Sequence, residues 1–282
     1  MTSESLAEPT TPRSHRIADL TWPEIAARQE RSPVAIVPLG SCEQHGYGLA
    51  QRTDTTRAAV VADKVAERLS PRVVVTPPIP VGVSEHHMGF PGTLTLSAVT
   101  LQQVIYELVT SLHRHGWRKV FLLTGHGGNN SAIEVAVSRL RGDLTDLYLA
   151  WSGVTPVVAD LAAEFAESTV RGHGCEIETS QAMFADPTLV RTGWLARGSA
   201  TLEDLPPAGR LSRSHPGIHF PQSYHTLSTT GTLGDGREAS PELGARLGRT
   251  AGERIADFLA GLIDLPDHQP SEHAPANPPE DS

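Results

Sequence analysis

Three short segments of the chain concentrate side chains that ligate metals or move protons. The first is Glu43-Gln44-His45, followed nine residues after His45 by Asp54. An imidazole flanked by carboxylates suits a borderline divalent ion such as zinc; carboxylate oxygens also suit manganese or magnesium, and one carboxylate can bridge two ions. The second is Gly125-His126-Gly127-Gly128-Asn129-Asn130, in which glycines let the backbone turn sharply and present His126 to a crevice. It lacks the Lys-Ser/Thr ending of a phosphate loop and the spacing of a dinucleotide fingerprint, so metal ligation is the preferred reading. The third, running from His173 to Ser180, sets a histidine and two acids, Glu176 and Glu178, within six residues. These could supply a further ligand and a proton-transfer group. The same acids would also suit any helix N-terminus, whose dipole favours negative charge.

Residues 84–93 hold two adjacent histidines, His86 and His87, before a Phe-Pro-Gly turn. Neighbouring side chains point in different directions on most backbones, so this segment reads as a pocket wall or equally as a surface loop. Cys42 and Cys175 each have a histidine nearby in sequence, but Glu43 beside Cys42 disfavours a thiolate, and both read as structural. There is no G-x-S-x-G elbow to support a serine nucleophile. Trp151, Trp194 and Phe90 could wall a pocket, although large aromatics are more often core.

These groups need elements to hold them. The β-branched run at residues 34–39 predicts a strand buried on both faces of a parallel sheet, ending where Glu43 and His45 begin. Apolar residues at three- and four-residue spacing predict helices over 55–69 and 95–115, with Gly116 as a stop. Further strands are expected at 73–75, 120–123 and within 147–151, and further helices over 131–141 and 177–185. This alternation is that of an α/β domain, in which ligands gather at the carboxyl ends of the strands.

Composition narrows the partners. A formal net charge of -9 argues against a surface built to neutralise phosphates, so nucleic acid is not expected. No run of about 18 apolar residues and no signal-like N-terminus occur, and two isolated cysteines fit a reducing compartment; a soluble, cytoplasmic protein with no membrane partner is expected. Residues 1–15 and 266–282 are rich in Pro, Ser and acids and are expected to be disordered, flanking a single domain at 16–265.

Taken together and in order, Pro38-Leu39-Gly40-Ser41-Cys42-Glu43-Gln44-His45-Gly46, Thr53-Asp54, Phe90-Pro91-Gly92-Thr93, Gly125-His126-Gly127-Gly128-Asn129 and the 173–180 segment resemble the creatininase family of amidohydrolases. Gly231-Thr232-Leu233-Gly234-Asp235 resembles its C-terminal signature. The resemblance implies a three-layer α/β/α sandwich with a mainly parallel central sheet, two divalent ions per subunit (zinc first, manganese or iron as alternatives) and a homo-oligomer, often a hexamer. It implies one ion held by Glu43, Asp54 and His126, another by His45 with Asp54 bridging, and His173 as the catalytic histidine. Creatininase itself draws its second carboxylate from the position of Gly128; Glu176 takes that role here, and Glu178 orients ligands from behind or replaces it. The loop at 47–52 also departs from the family wording. The implied activity is hydrolysis of a C–N amide bond, cyclic amide or formamide, in a small molecule. Trimming of a modified precursor peptide is the alternative, and a non-catalytic metal-binding scaffold is the alternative of another class.

Overall fold

The computed structural model describes residues 14–266 apart from Pro216. Its centre is a sheet of four strands, β1 (Val34–Leu39), β2 (Val73–Val75), β3 (Lys119–Thr124) and β4 (Tyr148–Gly153), all parallel, in the order β2-β1-β3-β4. Every residue of β1 and β3 is buried, as apolar strands with helices on both faces must be.

Alternation along the strands separates two cores. Val34, Ile36, Phe121 and Leu123 point to one face, where they meet α2 (Thr53–Arg68) and the last helix of the described chain, Pro241–Asp264. Ala35, Val37, Leu39, Val120 and Leu122 point to the other, against α3 (Ala98–Arg114) and α4 (Asn130–Asp143); α1 (Trp22–Gln29) adds Ile25 to that side. This is a three-layer α/β/α sandwich, and each fully buried Leu or Ile in it contributes roughly 1.5–3 kcal/mol. Helix α3 starts at Ala98 rather than at residue 95, because the Ser97 hydroxyl accepts the Thr100 amide and caps the first turn.

Beyond β4 the described chain forms α5 (Ala159–Phe165), α6 (Glu176–Ala185), α7 (Pro207–Arg213), α8 (Tyr224–Leu227) and α9 (Pro241–Asp264). Helix α9 presents Leu247, Ala251, Ile255, Leu259 and Leu262 to the core. It lies close on α6 because Gly244 and Gly248 carry no side chain: a Cβ there would overlap the Ser180 carbonyl and the Phe184 ring. The position of α6, and of the acids in its first turn, is thus set by α9.

Register decides where chemistry can occur. Leu39 pairs with Thr124, and Thr124 with Gly153, so β1, β3 and β4 end level with one another. The loops carrying Glu43–His45 and His126 therefore leave the same sheet edge side by side.

Of the ends for which disorder is expected, all but residues 14, 15 and 266 lie outside the described residues. Among these, His15 Nε2 lies 2.9 Å from Asp63 Oδ1, and the His15 carbonyl accepts the Val75 amide. No helix among the described residues is long and apolar enough to cross a membrane.

Candidate metal centre

Glu43, His45, Asp54 and His126 converge on one buried point at the carboxyl ends of β1 and β3. Each is 5% exposed or less. Asp54, in the first turn of α2, lies between the others: its Oδ1 is 3.3 Å from His45 Nε2 and its Oδ2 is 3.3 Å from His126 Nδ1. Glu43 Oε1 is 3.1 Å from the same His126 nitrogen. One carboxylate thus faces two neighbouring positions.

Backbone carbonyls orient the imidazoles. His45 Nδ1 lies 3.1 Å from the Glu43 carbonyl, His126 Nε2 3.0 Å from that of Val83, and His173 Nε2 2.5 Å from that of Gln44. A carbonyl only accepts, so each of these nitrogens carries a hydrogen and the opposite one, His45 Nε2, His126 Nδ1 or His173 Nδ1, faces inward with its lone pair whenever the ring is neutral. Ser84 and Ser41 donate to Glu43 Oε2 at 2.5 Å and Asp54 Oδ2 at 2.6 Å. Glu43 Oε1 and His45 Nε2 are buried outside any well-formed hydrogen bond, the first facing His126 Nδ1 at 3.1 Å and the second facing Asp54 Oδ1 at 3.3 Å.

His173 faces the cluster from the loop before α6, its Nδ1 3.8 Å from both Glu43 Oε1 and Glu178 Oε2. Glu178 Oε2 also stands 3.8 Å from His45 Nε2 and accepts the Gly174 amide at 2.7 Å. Glu176, expected as the second-ion carboxylate, is not brought to the cluster. Its two oxygens accept the Ser168 amide and hydroxyl at 2.9 and 3.0 Å and the Asp235 amide at 3.3 Å. Residues two apart lie about 200° apart around a helix, so only one of the two acids can face the site, and it is Glu178.

Two further residues belong here that sequence reasoning did not assign. His87 is 1% exposed, with Nε2 3.4 Å from Glu43 Oε1. Its Nδ1 lies 2.9 Å from the Gln44 side-chain nitrogen, which also donates to the Gly231 carbonyl, while Gln44 Oε1 accepts the Gly46 amide. The amide orientation is therefore fixed, His87 Nδ1 accepts, and a neutral His87 points an N–H inward. Arg57 is also buried, three residues after Asp54, and pairs with Asp54 and Glu178. The sequence offered only weak signals for them, a paired histidine and an arginine on the apolar side of a helix.

Charge states follow from this packing. Burial disfavours ionising both Asp54 and Glu43; at Asp54 the adjacent His45 and His126 outweigh it and hold the carboxyl well below its usual range, whereas Glu43 stays raised. Burial likewise opposes charging His45 and His126, but the carboxylates prevail, pushing His45 up to about 9 and His126 well above its ordinary value. His87 and His173 are held down by burial and by neighbouring imidazoles, His87 to about 2. Cys175 is buried and its thiol is pushed up to about 11, first by burial and then by Glu178, which suits a structural residue.

A cavity of about 440 Å³ opens beside His126 and Glu178, walled by Val154, Pro156, Ala162 and Arg171. Trp151 packs instead against the core beneath α3 and α4, and Trp194 is exposed.

A sequence model described as creatinine amidohydrolase, the creatininase family, matches residues 18–259. The chain belongs to the creatininase family. Curated relatives of this creatininase-family chain include a mycofactocin precursor peptide peptidase of Mycolicibacterium smegmatis, 33% identical over 82% of this chain and 83% of that one. A creatinine amidohydrolase of Pseudomonas putida is 30% identical over 86% and 95%. Solved creatininases of a Zn-Zn type and a Mn type superpose with TM-scores of 0.73 at 26% identity, covering 90% of this chain and 100% of theirs. The family hydrolyses C–N bonds. Gly128, where creatininase carries an acid by the resemblance above, has no room for one here: a Cβ would overlap His126 Nε2 and the Val83 carbonyl.

Proposed function

We propose that the chain is a metal-dependent amidohydrolase that cleaves a C–N amide bond in a small substrate, using two divalent ions. The observation that carries this reading is the buried convergence of carboxylates and carbonyl-tethered imidazoles, in which Glu43 Oε1 and His45 Nε2 lie in no well-formed hydrogen bond. Glu43, Asp54 and His126 would hold one ion; His45, Asp54 and Glu178 would hold the other. When bound, such ions lower the pKa of water towards neutrality and polarise an amide carbonyl.

The chain's own residues supply the rest. The Gln44 carbonyl fixes the His173 ring, and burial keeps it uncharged, so Nδ1 has a lone pair to take a proton and return it to the departing nitrogen. Without that return an amine anion would have to leave; acid catalysis of this kind contributes about 10²–10⁴-fold. Zinc, with manganese or iron as alternatives, a homo-oligomer and a cytoplasmic location complete the reading.

A second reading, trimming of a modified precursor peptide, is supported by the likeness to the mycofactocin precursor peptide peptidase. Elemental analysis of the purified protein, combined with a screen of lactams, formamides and short peptides, tests both. Retained divalent metal with lactam or formamide turnover is the expected result. Peptide cleavage alone would select the second reading, and metal-free protein inert towards all three classes would remove both.

A further inference from the structure

We propose that the amide cleaved at this site carries a carboxylate, and that Arg171 binds that carboxylate from the wall of the cavity beside His126 and Glu178. The inference rests on the amidohydrolase reading above and names the class of substrate that this chain's own residues select. The cavity, about 440 Å³, has the size of a small-molecule site. Gly127 and Gly172 both line it, and a Cβ on either would meet nothing within 4 Å, so the space next to His126 and His173 is open to a ligand. Among the described residues, Arg171 brings the only guanidinium or ammonium group to this lining. The acid of the lining, Glu178, is already taken by Arg57 and by the Gly174 amide.

The backbone around Arg171 is tethered on both sides. The Val170 amide donates to the Ala200 carbonyl at 2.9 Å, and His173 exchanges backbone hydrogen bonds with Leu233. The Arg171 carbonyl accepts from both terminal nitrogens of Arg213 at 3.4 Å. The guanidinium and the His173 ring thus stand two residues apart on one fixed segment. The Arg171 side chain itself is little used: Nη1 donates to the Ser168 carbonyl at 3.3 Å, and no carboxylate lies within ion-pair distance of it among the described residues, which leaves its other donors for a ligand. A half-buried guanidinium without a counter-ion gains from a carboxylate that enters beside it, in the planar two-point geometry the two groups share. Asn130, which opens α4 on the same lining, adds an amide with no side-chain hydrogen bond among the described residues. One guanidinium balances one carboxylate, whereas a phosphate ester carries nearly two charges. An N-formyl or N-acyl amino acid, a lactam acid and a peptide with a free C-terminus all present the required group; a neutral cyclic amide does not.

The test compares matched pairs that differ only in this charge, on full-length, metal-loaded protein, each followed at the bond the pair shares: N-formylglycine against its amide, pyroglutamate against its amide, and a short peptide with a free against an amidated C-terminus. Wild type is expected to favour the acid of the reactive pair on the order of tenfold in kcat/KM, mainly through KM, the size of one charge-assisted pair. Arg171→Gln should bring the ratio close to unity, and Arg171→Lys, which keeps the charge without the fork, should restore part of it. Which pair reacts tells the formamide, lactam and peptide sources apart. Equal turnover of acid and amide in wild type, or a preference that survives in Arg171→Gln, overturns the proposal and leaves the amidohydrolase reading standing. If no pair is turned over, that reading falls, and calorimetry with N-acetylglycine against its amide decides the anion site by itself: acid binding that Arg171→Gln abolishes keeps the site, and equal or absent binding removes it.

Discussion

Loading the centre with metal must drive protons out of it. In the metal-free protein the carboxylates hold His45 up to about 9 and His126 well above its ordinary value. Both rings have already committed one nitrogen to a backbone carbonyl, so the proton that marks the charged form sits on the inward atom, His45 Nε2 or His126 Nδ1. That atom is the one a metal would use. At about pH 7.5 both rings are charged in nearly every molecule, so filling both positions with zinc should release roughly two protons per chain. Removing the His45 proton at that pH, about 1.5 units below its pKa, costs roughly 2 kcal/mol, or about a thirtyfold weaker apparent affinity than above pH 9. The sign follows from the competition: protons and metal share one atom, so binding weakens as pH falls and levels off only above about 9. Calorimetry in two buffers of different protonation enthalpy counts the released protons directly. A release near zero at about pH 7.5 would refute the reasoning, because the histidines would then be neutral before metal arrives or would not be ligands.

Other perturbations separate roles that proximity blurs. Gly128→Ala pushes a methyl group against His126 Nε2 and the Val83 carbonyl, so it should break that tether and lower metal retention at least tenfold, measured by elemental analysis after dialysis. Glu176→Ala strips the Ser168 and Asp235 groups of their acceptor and should destabilise the fold by about 1–3 kcal/mol in urea while leaving metal content unchanged; Glu178→Ala should lose one ion and, because it leaves the buried Arg57 paired with Asp54 alone, should destabilise the metal-free fold as well. Acid should destabilise the metal-free protein through His87 and His173. Their folded-state pKa values lie below the unfolded one, so their contribution is complete above about pH 6.5 and is lost as pH falls, by roughly 1.4 kcal/mol per group for each further pH unit. Urea midpoints that stay constant between about pH 6.5 and 5 would show that these rings take up protons without unfolding.

The sequence by itself determined the parts whose cause is local. A β-branched run such as Val34–Leu39, buried on both faces, can be little else than a central parallel strand, and the polar residues that follow it have to sit at its carboxyl end. Glu43, His45, Asp54 and His126 were legible for that reason: ligand-type side chains directly after strands or at the start of the next helix. Which acid of the 176–178 pair turns inward was not legible, since both suit a helix N-terminus. The choice was made by α9, whose glycines bring it onto α6 and fix that helix's rotation, and by Ser168 and Asp235, which capture Glu176. The roles of His87 and Arg57 likewise depend on groups distant in the chain: Gln44 sets the ring of one, and Glu178, Gln181 and Thr155 clamp the other. Local pattern fixes what an element is, because backbone geometry and burial act over a few residues. Which side chains share a buried charge is settled only when separate elements pack, because Coulomb and hydrogen-bond terms depend on distances that spacing along the chain does not contain.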